Sequence, residues 1–86
     1  MLKIAEYNTI TGEKVELEKL EKYGFKEYND CWQRDYNNGY ATNIYKDTKE
    51  IIKVDYEWSF FENKYYENST YKINDLIKYG LVIKED

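Results

Sequence analysis

The sequence predicts an α+β fold, in which a three-stranded antiparallel meander packs against two short helices. Three features lead to this prediction: apolar and polar side chains alternate over residues 51–60, Asn37-Asn38-Gly39 is typical of a hairpin loop, and Lys-Tyr-Gly occurs twice where a helix would end. Short strands near the termini are candidates to extend the sheet edges. The expected strands of the meander are about 25–36, 40–46 and 50–60, and the expected helices are about 14–23 and 72–79.

Length and charge exclude several classes of protein. The chain has 86 residues, a single small domain, because it has no room for two hydrophobic cores. Its net charge of −4 disfavours binding to nucleic acid or to an anionic membrane surface. No stretch reaches the about 20 apolar residues of a membrane span, and the amino terminus lacks the apolar part of a secretory signal. With 11 tyrosines, the chain is expected to use tyrosine for part of its core, and to be cytoplasmic.

The two helices are predicted by apolar residues spaced among charged ones. Gly24 and Gly80 each follow a Lys-Tyr pair, and glycine is the residue that most often adopts the left-handed conformation just past a helix end. Shared helix-stop chemistry explains this repeat more simply than an internal duplication, although both remain open. The side chains expected to cover the inner face of the sheet are Val15, Leu17, Leu20, Ile73, Leu76 and Ile77.

The first hairpin has two candidate registers. A three-residue loop, Asn37-Asn38-Gly39, places Trp32 opposite Ile44, so that the large groups of both strands share a face. A two-residue loop would instead place Trp32 beside Tyr45 and turn Ile44 to solvent. We therefore predict the three-residue loop, with Gly39 in the left-handed conformation.

The same parity, carried through an Asp47-Thr48-Lys49 loop, predicts the register of the second hairpin. It pairs Ile44 with Ile52 and Thr42 with Val54. Alternate residues of the last strand would then point towards the core. These residues are Ile52, Val54, Tyr56, Trp58 and Phe60.

The opposite face of this predicted sheet is the main candidate for binding. The pairing aligns Cys31, Tyr45 and Ile51 in one apolar stripe with charged residues around it. Either another segment of the chain covers the stripe, or it is a surface for a partner or a second copy. The aromatic pairs in the connection after the last strand are likewise either internal clamps or exposed anchors. The candidate partner-binding residues are Cys31, Tyr45, Ile51, Asp55, Glu57, Phe61, Tyr65 and Tyr66.

Residue types that carry most enzyme chemistry are scarce. The chain has no histidine, so Cys31 lacks the usual base and is expected to be a packed, inert thiol. Asp55 and Glu57 would lie about 7 Å apart on one face of a strand, but solvated surface charge explains them better than a glycosidase or a divalent-ion site. The sequence contains no zinc, EF-hand or phosphate-loop motif. We expect no enzymatic activity, no metal and no cofactor.

Acidic residues offer a route to partner recognition. A negative surface could occupy a basic site on another protein, but lysines at 14, 19, 22 and 26 dilute that field unless the folded surface separates the signs. The acidic residues in question are Glu13, Glu16, Glu18, Glu21, Asp30, Asp35, Asp55, Glu57, Glu62 and Glu67.

Several segments together resemble those of a known group of proteins. A Leu-Glu-Lys-Tyr-Gly-Phe segment at 20–25, the Asn-Asn-Gly hairpin, an Asp-Leu-Ile-Lys-Tyr-Gly-Leu-Val segment at 75–82 and the richness in Lys, Asn, Ile and Tyr are similar to small proteins of phages and mobile elements in AT-rich bacteria. The best-studied members of that group antagonise bacterial defence, including anti-CRISPR proteins.

The resemblance implies a non-enzymatic inhibitor that binds a host defence protein, such as a CRISPR effector, through a basic surface of that protein. An immunity or antitoxin partner would have the same physical character. A structural role in a homo-oligomer, including a homodimer, is the alternative from another class.

Overall fold

In a computed structural model, the described residues form two antiparallel sheets, a 3₁₀ helix and a short α-helix. The structure describes residues 1–37, 39–55, 64–66 and 72–85. The α+β class predicted from the sequence is confirmed at this broad level. The elements are β1 (Leu2–Ile4), the 3₁₀ helix (Leu17–Tyr23), β2 (Lys26–Glu27), β3 (Cys31–Asp35), β4 (Tyr40–Tyr45), β5 (Ile51–Asp55), β6 (Lys64–Tyr66), α1 (Asn74–Lys78) and β7 (Val82–Lys84).

The larger sheet contains the predicted meander, with strand order β2-β3-β4-β5-β6. Its first hairpin has the predicted register: Trp32 pairs with Ile44. The Tyr36 N–H donates a 3.1 Å hydrogen bond to the Tyr40 carbonyl, which leaves a three-residue loop, and Gly39 has a φ of 88°. The predicted loop length and the left-handed glycine are therefore confirmed; the middle residue of the loop lies outside the described residues.

The predicted register of the second hairpin is wrong by one residue. Ile44 pairs with Ile51, not with Ile52. The Tyr45 N–H bonds to the Glu50 carbonyl at 3.1 Å and the Lys49 N–H to the Tyr45 carbonyl at 2.8 Å, so the loop spans residues 46–49. Lys49 adopts a φ of 61° in this loop, which a glycine would adopt more easily.

The slip exchanges the faces of β5. Ile51, only 1% exposed, joins the core beside Ile44, whereas Ile52 and Val54 point to the other side of the sheet. Those two are also buried, at 8% and 7% exposed, so apolar alternation could not identify the core side of this strand. The predicted continuation of the alternation through Tyr56, Trp58 and Phe60 lies outside the described residues.

The first helix is a 3₁₀ helix whose sequence repeats every three residues. Leu-Glu-Lys-Leu-Glu-Lys-Tyr places Leu17, Leu20 and Tyr23 three apart, and a 3₁₀ helix aligns side chains at exactly that interval along one side. Leu20 is fully buried, and Leu17 and Tyr23 pack against the same core while partly exposed. The predicted start near residue 14 is wrong, because Lys14 forms an isolated β-bridge with Tyr7 instead.

Both predicted helix stops are confirmed. Gly24 and Gly80 have φ values of 88° and 78°, and each N–H donates to the carbonyl three residues earlier. The residue after each glycine donates to the carbonyl five residues earlier, which completes the Schellman motif. These last bonds are Phe25 to Leu20 at 3.2 Å and Leu81 to Leu76 at 3.0 Å. The second helix is shorter than predicted, since α1 begins only at Asn74.

The terminal strands pair with each other and do not extend the edges of the meander. β1 and β7 form a separate two-stranded sheet in which Ile4 lies opposite Val82. A hydrogen bond of 2.9 Å from the Ile4 N–H to the Lys49 carbonyl attaches this sheet to the second hairpin loop. Within the described chain, β2 and β6 occupy the edges for which the terminal strands were expected.

One hydrophobic core joins the two sheets and the two helices. The helices contribute Leu20 and Leu76 as predicted, whereas Ile77 is 44% exposed. Among the tyrosines whose side chains the structure describes, Tyr23 packs against the cluster without being fully buried. The cluster contains Ile4, Val15, Leu20, Phe25, Trp32, Ile44, Ile51, Ile73, Leu76 and Leu81.

Candidate functional site

The predicted stripe of Cys31, Tyr45 and Ile51 is not a single surface. Cys31 and Tyr45 are cross-strand neighbours, as expected. Ile51 lies on the opposite face, inside the core, because of the one-residue slip in the second hairpin. Cys31 is itself only 6% exposed, so of these three residues Tyr45 alone has appreciable contact with solvent.

The rest of that face is also closed. Ala41, Ile52 and Val54 are all under 9% exposed. Asn43 is 6% exposed and accepts a 2.7 Å hydrogen bond from the Gln33 side chain. Both sides of the central strands are therefore buried. Of the two alternatives for this face, the covered one holds, and the hypothesis that the face is an exposed partner surface is wrong.

The other predicted site residues lie beside β5 or beyond the described ranges. Asp55 is the last residue of β5, and Tyr65 and Tyr66 belong to β6, which pairs with β5. Glu57 and Phe61 lie outside the described residues. The predicted spacing of the Asp55 and Glu57 carboxylates therefore stays a prediction. The structure therefore brings three of these residues onto neighbouring strands at one edge of the larger sheet.

Cys31 is a poor nucleophile in this environment. Burial raises the pKa of its thiol above the ordinary value, and the negative charge of Asp30 raises it further. A thiol with a raised pKa stays protonated near neutral pH, and the thiolate is the reactive form. This direction agrees with the expectation of a packed thiol.

Large apolar side chains are instead exposed where the loop after β1 meets the end of α1. Ile10 is 67% and Tyr79 51% exposed, and two more of the six exposed large hydrophobic residues in the described ranges, Tyr7 and Ile77, lie within three positions of them in sequence. The Thr9 N–H donates to the Gly80 carbonyl at 2.9 Å. We call Tyr7, Ile10, Ile77 and Tyr79 the Ile10–Tyr79 surface.

Gly80 allows this close approach. A Cβ at position 80 would lie 2.5 Å from Asn8 Oδ1 and 3.0 Å from both Ile10 Cγ1 and Thr9 Oγ1. Its φ of 78° also disfavours any side chain. The second Lys-Tyr-Gly stop therefore ends α1, and the missing side chain of its glycine lets residues 8–10 pack directly against the backbone there.

Asn8 holds this loop in shape. Its Oδ1 accepts hydrogen bonds from the N–H groups of Ile10 and Thr11 at 2.8 and 3.0 Å, and its Nδ2 donates to the Tyr79 carbonyl at 2.8 Å. The backbone carbonyl of Asn8 accepts from the Gly12 N–H at 2.9 Å. Ile10 is therefore presented on a braced loop despite its exposure.

The two helix stops meet through their tyrosines. The ring centroids of Tyr23 and Tyr79 lie 6.0 Å apart with a tilt of 40°. The Lys22 ammonium lies 5.3 Å from the centroid of the Tyr23 ring, and the Lys78 ammonium 5.7 Å from that of Tyr79. This arrangement puts two aromatic rings and two cations at one junction.

Beneath that junction lies Arg34, the one arginine of the chain, which sequence reasoning did not single out. Its guanidinium contacts Asp75 through both carboxylate oxygens, at 2.8 and 3.3 Å. It also donates to the carbonyls of Tyr23 and Lys72 and to the Tyr36 hydroxyl. The planar guanidinium has five N–H donors in fixed directions and can therefore make all of these bonds at once. A lysine ammonium could not. The presence of one arginine among 12 lysines was the available signal.

The ion pair changes both pKa values. Burial opposes ionisation of Asp75, but the hydrogen bonds and charge of Arg34 outweigh it and lower the pKa of that carboxyl. Burial also opposes the charge on Arg34, yet its hydrogen bonds to Asp75 and Tyr36 raise the pKa of the guanidinium. Because every donor of Arg34 is used internally, its role is to join β3, α1 and the end of the 3₁₀ helix.

A cleft opens beside this junction, between the 3₁₀ helix and the segment 8–16. Its volume is about 200 Å³. Apolar side chains of Val15, Leu20 and Leu81, each under 9% exposed, form part of its lining, together with Tyr23. The charged residues of the lining are Glu13, Lys14, Glu16, Lys19 and Lys22.

The described residues suggest no metal centre, since nowhere among them do three Cys, Asp or Glu side chains converge as metal ligands. No helix in these ranges has the length and apolarity that crossing a membrane requires. Comparison of the chain with family models, with curated proteins and with solved structures found no match.

Proposed function

We propose that this chain is a non-enzymatic protein-binding module whose contact region is the Ile10–Tyr79 surface. The exposure of Ile10 and Tyr79 on two segments joined by backbone hydrogen bonds is the observation that supports the proposal. Tyrosine buries a large area with few rotatable bonds and keeps a polar end, which is why it is frequent at protein interfaces.

Single exposed apolar residues are common on protein surfaces and by themselves indicate nothing. Here the surrounding framework adds to the argument. Asn8 and Gly80 hold Ile10 against the end of α1, so that little conformational entropy remains to be lost on binding. A rigid, exposed isoleucine beside an exposed tyrosine resembles the anchor of an interface more than it resembles a loop tip.

This proposal replaces the face of Cys31 and Tyr45 as the binding surface, because that face is mostly buried. Asp55, Tyr65 and Tyr66 remain proposed as a second contact region at the β5–β6 edge of the sheet. Glu57 and Phe61 remain proposed with them on the sequence alone.

The class of partner is proposed from the resemblance to small phage and mobile-element proteins. On that basis the partner is a host defence protein, such as a CRISPR effector, and the protein acts in the host cytoplasm as its inhibitor. An immunity or antitoxin role would use the same kind of surface with a different partner.

Affinity capture from the native host, read by mass spectrometry, tests the proposal. Ile10→Asp and Tyr79→Ala are expected to abolish capture of one specific protein, because these are the exposed apolar side chains that the proposal assigns to the contact. Tyr28→Ala is the matched control, since Tyr28 is 46% exposed and lies in another part of the chain. Capture unaffected by Ile10→Asp and Tyr79→Ala would contradict the proposal.

Light scattering on the purified protein separates self-association from partner binding. A monomer over the micromolar range is expected, since the proposed surface serves a different protein. A concentration-dependent dimer that Ile10→Asp dissociates would instead favour the homo-oligomer.

A further inference from the structure

The three-residue repeat of the 3₁₀ helix separates its charges. Side chains three apart lie above one another in a 3₁₀ helix. Glu18 and Glu21 therefore form one stripe, and Lys19 and Lys22 form another. All four are exposed, and within the described chain none of them forms a salt bridge.

The cleft borders the basic stripe only. Lys19 and Lys22 line it, whereas Glu18 and Glu21 do not. Lys14 adds a third ammonium from the opposite wall, against the carboxylates of Glu13 and Glu16. In a chain with a net charge of −4, this cleft is therefore a local region where cations outnumber anions.

The size and the floor of the cleft restrict what it can hold. Sites for drug-sized ligands measure about 300–1,000 Å³, and this cleft is smaller, at about 200 Å³. Its apolar residues, Val15, Leu20 and Leu81, belong to the hydrophobic core. A single apolar side chain fits these two properties better than a cofactor or a nucleotide.

The walls are fixed before anything binds. The Val15 N–H donates to the Glu6 carbonyl at 2.9 Å and the Asn8 N–H to the Glu13 carbonyl at 2.7 Å. On the other wall, the Schellman bonds and the guanidinium of Arg34 hold the end of the 3₁₀ helix at Tyr23. A prepared cavity of this kind requires little reorganisation when a ligand enters.

We propose that this cleft receives one apolar side chain from an acidic segment of a partner protein, with Lys14, Lys19 and Lys22 contacting the carboxylates on either side of that anchor. The inference rests on the proposed function and specifies the chemistry of the partner beside the Ile10–Tyr79 surface. It differs in sign from the basic partner surface expected from net charge, because charges at contact distance act more strongly than the distant remainder of the molecule.

Nucleic acid is the other anionic polymer that lysines and tyrosines can bind. It fits less well, because Glu13 and Glu16 lie in the same lining and would repel a continuous line of phosphates. Carboxylates of a peptide are separate charges that can be placed between them. An oligothymidylate probe is therefore included in the test as the competing outcome.

Selection from a random twelve-residue peptide library displayed on phage, with the purified full chain as bait, tests the inference. The expected enriched peptides carry one large apolar residue with Asp or Glu on both sides. Binding of the synthetic peptide is then measured by fluorescence anisotropy. Backbone amide shifts in the NMR spectrum are expected at Leu20, Tyr23 and Leu81.

The decisive variant exchanges the two stripes without changing the net charge. It combines Glu18→Lys, Lys19→Glu, Glu21→Lys and Lys22→Glu, and we expect it to bind the selected peptide at least about fivefold more weakly at low salt. Lys84→Glu, at the exposed end of β7, is the control and is expected to change affinity less than twofold. If the exchanged chain does not fold by circular dichroism, Lys19→Glu alone and the salt dependence of the unaltered chain make the same comparison.

Three results would overturn the inference: enrichment of basic or uncharged peptides or of none, equal affinity in the exchanged chain, or tighter binding of oligothymidylate than of the peptide. Failure of the proposed function is distinguishable. If capture of the host protein is lost with Tyr79→Ala but kept with the stripe exchange, the proposed function is supported and the proposed ligand of the cleft is contradicted. If the peptide binds as expected but capture of no host protein depends on Ile10 or Tyr79, the proposed ligand of the cleft is supported and the proposed function is contradicted.

Discussion

The two Lys-Tyr-Gly stops have the same backbone and different surroundings. At the first stop the carbonyl of Tyr23 accepts from the charged guanidinium of Arg34, and at the second the carbonyl of Tyr79 accepts from the neutral amide of Asn8. Tyr23 packs against the core, whereas Tyr79 is 51% exposed. The same local sequence therefore ends one helix as part of an ionic network and the other as the base of an exposed surface. Local chemistry ends the helix, and tertiary neighbours decide what that end is used for.

Removing Arg34 should have the largest effect, since its guanidinium bonds to the Tyr23 carbonyl at the first stop and also to Asp75 of α1. Arg34→Met is expected to lower the free energy of unfolding by about 3 kcal/mol, because it leaves the partly buried Asp75 and the Tyr23 carbonyl without their partner. Arg34→Lys, which keeps the charge but not the fork, should recover less than half of this loss. Urea unfolding followed by tryptophan fluorescence measures both; a loss below about 1 kcal/mol for Arg34→Met would contradict the assignment.

Alanine at the two glycines directly compares the two stops. Both substitutions force a side chain into the left-handed region, at about 1–2 kcal/mol. Gly24→Ala meets only an ordinary contact, 3.5 Å from the Arg34 Cδ, whereas Gly80→Ala places its Cβ 2.5 Å from Asn8 Oδ1. We expect Gly80→Ala to be the more destabilising by about 1 kcal/mol in thermal or urea unfolding. Equal losses would show that the loop moves aside freely.

Asn8 tests the bracing of the second stop. Asn8→Ala is expected to cost about 1–2 kcal/mol, because it removes the acceptor for two N–H groups and the donor to Tyr79. Asn8→Ser, which keeps an acceptor near the turn but not the reach to Tyr79, should be intermediate. Amide hydrogen exchange at Ile10 and Thr11 should quicken in Asn8→Ala more than exchange in β4 does; uniform quickening would contradict local bracing.

Acid should weaken the Arg34–Asp75 pair but not the contacts of Asn8, with the smallest effect of the four. The folded pKa of Asp75 is lowered, so its contribution to stability is present above the unfolded value of about 3.9 and is lost as the pH falls through the folded pKa. Asp75→Asn should therefore flatten the stability profile below about pH 4. Asn8→Ala is the control, since it removes no titrating group and should leave the slope unchanged.

The two hairpins explain why one register could be predicted and the other could not. Around Gly39, only one loop length puts Trp32 and Ile44 on the same face, and the glycine marks the turn. Around residues 46–49 there is no glycine, and Ile51 and Ile52 are adjacent and equally apolar. Since β5 is buried on both faces, no solvent-facing side indicated which isoleucine belongs to the core.

The candidate site was missed for the same kind of reason. The sequence pointed to the face of the sheet that carries Cys31 and Tyr45. The one-residue slip puts Ile51 on the opposite face, and most other side chains of the predicted face are buried. The surface around Ile10 depends on Asn8 and Gly80, which are 72 positions apart in the chain and carry no mutual pattern. By contrast, the apolar spacing predicted a short helix ending at Tyr23, although not its 3₁₀ form or its start at Leu17.

The amino-acid sequence by itself determined the α+β class, the first hairpin and both helix stops, because each follows from interactions between residues near one another in the chain. Tertiary structure alone decided the second register, the pairing of the two termini, the network around Arg34 and the exposure of Ile10 and Tyr79. Those features depend on which distant segments meet, and the free energy that selects them comes from burial and hydrogen bonding summed over the whole core.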